Sequence, residues 1–231
     1  MRWICVLMSV LVSSGWALDD AVVQEKVKAL ESPYPTVRAA AVEAIRTNKE
    51  LLLAVQKLEI KSSQAMAQNE TGAAQACLDY AKAQATYFSQ DRDGDGVVEY
   101  AESLASLLET KAGSADLKLI DKSLADAELG APNAIPRMGY FFKILKGQGA
   151  LHRGKKDDPA SKAARSYIVD GNMTGGFAIL AIPAVYGVTG RISFMLNSPE
   201  HVFQRDLGKE TNEIAEKMKE FDPGTDWVLA E

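Results

Sequence analysis

The sequence predicts an α+β protein with helices first, an antiparallel sheet second and a closing helix last. Three observations lead there. From Asp19 to about Gln90 the chain is rich in Ala, Leu, Lys, Glu and Gln and is interrupted only by Pro33, Pro35 and Gly72. Beyond Gly113, four short aromatic and β-branched runs are each bounded by Gly, Pro or Asn. The last three leave no room for crossover helices, and only Ser198 and Pro199 part the final two, so these strands run antiparallel.

The first residues, "MRWICVLMSVLVSSGWALDD", carry Arg2, an apolar run from Trp3 to Val12, and the small residues Gly15 and Ala17. This pattern predicts a signal peptide over residues 1–17, cleaved after Ala17, and a periplasmic or secreted mature protein. The apolar run is shorter than the roughly 20 residues a spanning helix needs, so no stable transmembrane segment is expected after signal removal. Loss of Cys5 with the leader leaves Cys77 as the remaining thiol. An internal disulfide is then impossible, and a cysteine beside Leu78 in a helical pattern is expected to be buried.

Residues 18–112 read as a helical region. In "LESPYPTVRAAAVEAI" two short helices meet at the Pro-Tyr-Pro turn, with Leu30, Val37, Ala41, Val42 and Ile45 as the predicted seam. The unit is similar to a single HEAT repeat, but no second copy follows, so it needs another partner for its apolar face. Leu51, Leu52, Val55, Leu58 and Ile60, then Ala74, Leu78, Ala81, Ala85 and Phe88, recur at spacings of three and four, the mark of helix stripes.

Within this region "DRDGDGVVEYAE", Asp91 to Glu102, spaces its oxygens as a calcium ion requires. Calcium takes six to eight oxygen ligands at about 2.3–2.6 Å. Asp91, Asp93 and Asp95 stand at loop positions 1, 3 and 5, and Gly96 at position 6 permits the sharp turn. Val97 at position 7 offers a backbone carbonyl, Glu99 at position 9 binds directly or through water, and Glu102 at position 12 chelates with both oxygens. Val98, at position 8, is expected to point inward. Five carboxylates in so short a segment repel one another unless a cation intervenes. The loop resembles that of an EF-hand, with Gln90 where an aromatic is usual and no second loop to pair with. An affinity on the order of 10⁻⁴ to 10⁻³ M is expected for such a site outside the cytoplasm.

Residues 113–231 read as the sheet region. "GYFFKILKG", "GFAILAIP", "GRISFMLN" and "EHVFQRDLG" are its predicted strands. "TNEIAEKMKEF" closes the chain as an amphipathic helix capped by Thr211, with Ile214, Ala215, Met218 and Phe221 on one side. Alternation along the strands is expected to send about half of Tyr140, Phe141, Phe142, Phe177, Tyr186, Phe194 and Phe203 outward, leaving an apolar face.

The succession "QATYFSQDRDGDGVVEYA", "GYFFKILKGQG", "YIVDGNMTGGFAILAIPAVYGVTGRISFMLN" and "FQRDLGKETNEIAEKMKEFDPGTDW" resembles the secreted bacterial proteins grouped as domain of unknown function 2950. The resemblance covers roughly Gln84 to Trp227. It implies export, an α+β fold and a metal, and it assigns no activity.

Composition excludes some functions. With 26 basic against 31 acidic residues, a net charge of -5 and no basic face, nucleic-acid binding lacks its electrostatic term. Catalysis finds little support. His152 and His201 have no zinc-like spacing, Ser193 and Ser198 lack a strand-turn-helix context, and "GNMTGG" leads into a strand, as a tight turn does. The expected function is therefore a calcium-binding structural or binding module of the cell envelope, whose partner is an unknown envelope protein or polymer. An envelope hydrolase built on Asp170 and Asp206 stays open, as does a pilin-like assembly subunit.

Overall fold

The computed structural model describes residues 25–26, 28–30, 32–47, 49–112, 115–150, 164–198 and 201–230. The predicted signal peptide, Cys5, His152 and Pro199 lie outside them. Compactness divides the chain between Gln68 and Asn69.

In the first unit, helical residues 25–26 and 28–29 precede a bend at Pro33 and Tyr34, after which comes α1, Pro35–Thr47. Ala41 and Ile45, one turn apart, are buried, whereas Val37 and Val42 are exposed. The predicted seam is thus narrower than the five apolar residues suggest. Val37 stands in the first turn, and Val42 is rotated by about 100° from Ala41. The second helix, α2, spans Lys49–Tyr87; Ile60 on it is exposed.

The second unit holds the core. The buried face of α2 there is Ala73, Ala76, Cys77, Tyr80, Ala83, Gln84 and Tyr87, a stripe of threes and fours. Ala81 is buried as expected, but Ala85 is exposed. The helix turns toward the core by way of Tyr80 and Gln84, whose polar tips are satisfied inside, so the apolar pattern alone misplaces its face. Cys77 is fully buried, and burial pushes its thiol up to about 12.

After α2 come α3, Leu104–Leu108, and the hairpin of β1, Thr110–Ala112, with β2, Ala115–Leu117. The predicted change of character at residue 113 falls between these two strands. A short helix α4, Lys122–Ala125, is capped by Asp121, which accepts from Leu124 N at 2.9 Å.

The antiparallel sheet has five strands in the order β3-β6-β7-β8-β9, with β3 Tyr140–Leu145, β6 Ala178–Pro183, β7 Ile192–Leu196, β8 Phe203–Asp206 and β9 Val228–Leu229. Register runs Phe142 to Ala181, Ala181 to Phe194, and Phe194 to Gln204. A separate pair joins β4, Gly147–Gln148, to β5, Arg165–Ser166. Between β5 and β6, Asp170 (φ 53°) and Gly171 (φ 94°) form a two-residue turn closed by bonds between Val169 and Asn172, as the mirror-image hairpin turns require. A side chain on Gly175 would meet Ser166 O at 2.8 Å. The glycines of "GNMTGG" thus serve a turn and a close backbone approach.

Every residue of β6 is buried, so both faces of this interior strand are covered. Tyr140, Phe142, Phe194 and Phe203 are buried, while Phe141 and Phe177 pack at the edge of the core. The expected outward aromatic face is absent among the described residues, because α2 contributes to the same core and a closing helix lies over the sheet. That helix, α5, spans Thr211–Lys217. Lys143 of β3 donates to Ala215 O at 2.8 Å and Glu216 O at 2.9 Å, satisfying carbonyls that the helix end leaves open. Thr211 is not its cap: a 3₁₀ turn, Gly208–Glu210, precedes it, and the buried Thr211 hydroxyl donates to Gly208 O. The helix stops at Lys217 because Met218 is extended, and Phe221 bridges instead to Gln148.

Candidate metal centre

The helix that precedes the acidic loop leaves its last carbonyls without intrahelical partners, and donors come from Ser89, whose hydroxyl donates to Thr86 O at 2.7 Å, and from the loop's own second residue. Arg92 reaches back to Tyr87 O at 3.2 Å and Thr86 O at 2.9 Å, and its guanidinium lies 5.9 Å from the Tyr87 ring centre. This fixes where the loop begins. Gly94 (φ 84°) and Gly96 (φ 89°) then take left-handed conformations that curl the chain.

The curl aims amides at carboxylates. Asp91 accepts from Gly94 N at 2.8 Å and from Gly96 N at 2.9 Å; those two bonds hold its carboxyl below the usual range. Asp93 accepts from Asp95 N at 3.3 Å, and Asp95 from Val97 N at 2.7 Å. Asp91, Asp93 and Asp95 are exposed and each offers an oxygen within 4.8 Å of the others'. Oxygens that share a calcium ion at about 2.3–2.6 Å lie no farther apart than about twice that, so the three carboxylates fit such an ion.

The other predicted ligands are placed differently. Glu99 Oε2 accepts from Met173 N at 3.2 Å, and Glu102 Oε2 is held by Lys146 Nζ at 2.6 Å. Neither belongs to the close group of three. Burial, together with Asp93, Asp95 and Glu102 nearby, raises the Glu99 carboxyl above its ordinary value. Val97 is exposed, and Val98 is 40% exposed instead of inward. Position 8 pins a loop when a second loop pairs with it; here that neighbour is missing from the described residues.

The chain leaves the loop extended. Tyr100 N donates to Met173 O at 2.9 Å, and the Tyr100 ring stacks on Phe88 at 4.3 Å. Helix resumes only at Leu104, capped by Ser103, which accepts from Ser106 N at 3.1 Å, and by Glu128, which accepts from Leu104 N at 3.0 Å. The helix entering the loop ends at Tyr87, and the next helix starts two residues beyond Glu102. Asn172, from the turn before β6, donates to Asp95 Oδ2 at 2.7 Å. Asn172, Met173 and Lys146 lie far from the loop in sequence, and no local pattern marks them.

The remaining chemical candidates are scattered. His201 and Asp170 are exposed, and Ser193 is fully buried in β7. Asp206 accepts from Tyr186 OH at 3.1 Å and Gly208 N at 2.8 Å.

The model of the family described as protein of unknown function (DUF2950) matches residues 52–229. The chain belongs to this family. The DUF2950 match begins within α2 and ends in β9, so the acidic loop, the five-stranded sheet and α5 are all family territory. No curated protein and no solved structure matches this DUF2950 chain.

Proposed function

We infer that this DUF2950 protein is a calcium-binding structural or binding module exported to the cell envelope. The carrying observation is the convergence of Asp91, Asp93 and Asp95, with oxygens within 4.8 Å of one another. The donor set favours a hard cation, since it consists of carboxylates, to which the backbone carbonyl of Val97 would add a further oxygen. Asp91 is held ionised by two amides, so it meets a cation without losing a proton. Glu99 completes the set on its free oxygen, and Glu102 does so by exchanging Lys146 for the ion. The ion would fasten the end of α2 to the turn at Asn172, a structural role.

The leader pattern at residues 1–17 supports export, and among the described residues no helix is long and apolar enough to cross a membrane. Thermal unfolding in calcium and in chelator tests the ion, with Asp91→Ala and Glu102→Gln as controls. Calcium is expected to raise the Tm of the natural protein and not that of Asp91→Ala; equal melting in both conditions argues against the reading.

A second reading, an assembly subunit of pilin type, is favoured by the 39-residue helix α2 joined to an antiparallel sheet. Sedimentation distinguishes the two: concentration-dependent filaments support the subunit, and a discrete species of fixed size supports the module.

A further inference from the structure

A cleft of about 560 Å³ lies between α2 and the segment that carries α4, a volume typical of small-molecule sites, which span about 300–1,000 Å³. Its floor is apolar: Ala83, Ile120 and Leu124 are buried. Its rim is charged, and the charges do not balance. Asp79 faces Lys82 at 3.6 Å and accepts from Gln75 Nε2 at 2.9 Å. Asp121 accepts from Arg137 at 3.0 Å and from Leu124 N at 2.9 Å. Both carboxylates are thus engaged with their own cations. Lys118, exposed on the rim, has no ion-pair partner among the described residues.

One unspent ammonium beside an apolar floor is complementary to one negative charge on an aliphatic body. We propose that this cleft is a binding site for a small monocarboxylate, its carboxylate on Lys118 and its aliphatic part over Ala83, Ile120 and Leu124. A dianion such as phosphate fits less well, because it meets a single free cation with Asp79 and Asp121 close by. The site is separate from the acidic loop, none of whose residues line it, so it stands or falls independently of calcium.

Amide NMR titration with N-acetyl-L-leucine, its uncharged amide and inorganic phosphate tests the proposal. The carboxylate is expected to shift Leu119 to Leu124 saturably with a Kd of about 1–5 mM. The amide and phosphate should bind at least about tenfold more weakly, and Lys118→Glu should weaken the carboxylate by about tenfold. Lys118→Gln, a milder change, should weaken it in the same direction, and Lys209→Glu, outside the cleft, should leave it unchanged. No saturation up to about 50 mM, equal binding of acid and amide, tighter binding of phosphate, or indifference to both Lys118 substitutions overturns it.

Discussion

The side-chain amide of Gln84 closes a two-bond ring on the backbone of Ala101: Oε1 accepts from Ala101 N and Nε2 donates to Ala101 O, each at 2.8 Å. Both residues are buried, and Nε2 also lies 2.8 Å from Tyr80 OH. The exit of the acidic loop is therefore tied directly to the helix that enters it. Gln84→Leu would strand a buried N–H and C=O, costing about 2–4 kcal/mol. Urea unfolding should register this as a lower midpoint at unchanged slope.

Gly190→Ala should also destabilise, by about 1–3 kcal/mol. A Cβ there would meet the Tyr140 hydroxyl at 2.1 Å, and Tyr140 is buried with its OH donating to Ile192 O at 2.7 Å. Thermal unfolding of Gly190→Ala alone and with Tyr140→Phe checks the mechanism, since removal of the hydroxyl should recover part of the loss.

Two carboxyls set a slope with pH in the metal-free protein. Burial raises Glu128 and Glu99 above their ordinary 4.5. A raised folded value means that the folded state holds the proton more tightly, so the contribution is full below 4.5 and is lost as pH rises through the raised value. Asp91 acts oppositely: its lowered value adds stability above 3.8 that disappears as pH falls. Chelator-treated Glu128→Gln should therefore show a flatter decline in stability above pH 4.5 than the natural protein. An unchanged slope would show that Glu128 does not set this dependence.

An ion bound by Glu102 would have to displace Lys146 from it. Lys146→Met frees that carboxylate from a 2.6 Å pair whose members are both partly exposed, so stability should change by less than about 1 kcal/mol. Calcium affinity should tighten by about three- to tenfold. Calcium titrations of both proteins at the same ionic strength provide the comparison.

The strands were legible because β-branched and aromatic runs between Gly and Pro leave few alternatives: all four predicted runs contain observed strands. The acidic loop was legible as spacing, since Asp91, Asp93 and Asp95 converge through local turns. What surrounds it was not. Asn172 and Lys146 reach the loop through sheet topology, and the helix face was misplaced at Ala85 because Gln84 is buried by hydrogen bonding, which an apolar pattern does not record. The outward aromatic face failed for a related reason: alternation predicts which residues share a face, not whether another element covers it.

Isothermal titration of Ca²⁺ into the chelator-treated protein tests most directly whether the Asp91–Glu102 loop binds calcium. The expected result is a single saturable site per chain, with a Kd on the order of 10⁻⁴ to 10⁻³ M, abolished by Asp91→Ala. Heat indistinguishable from dilution at millimolar Ca²⁺, or a site that survives Asp91→Ala unchanged, would contradict it.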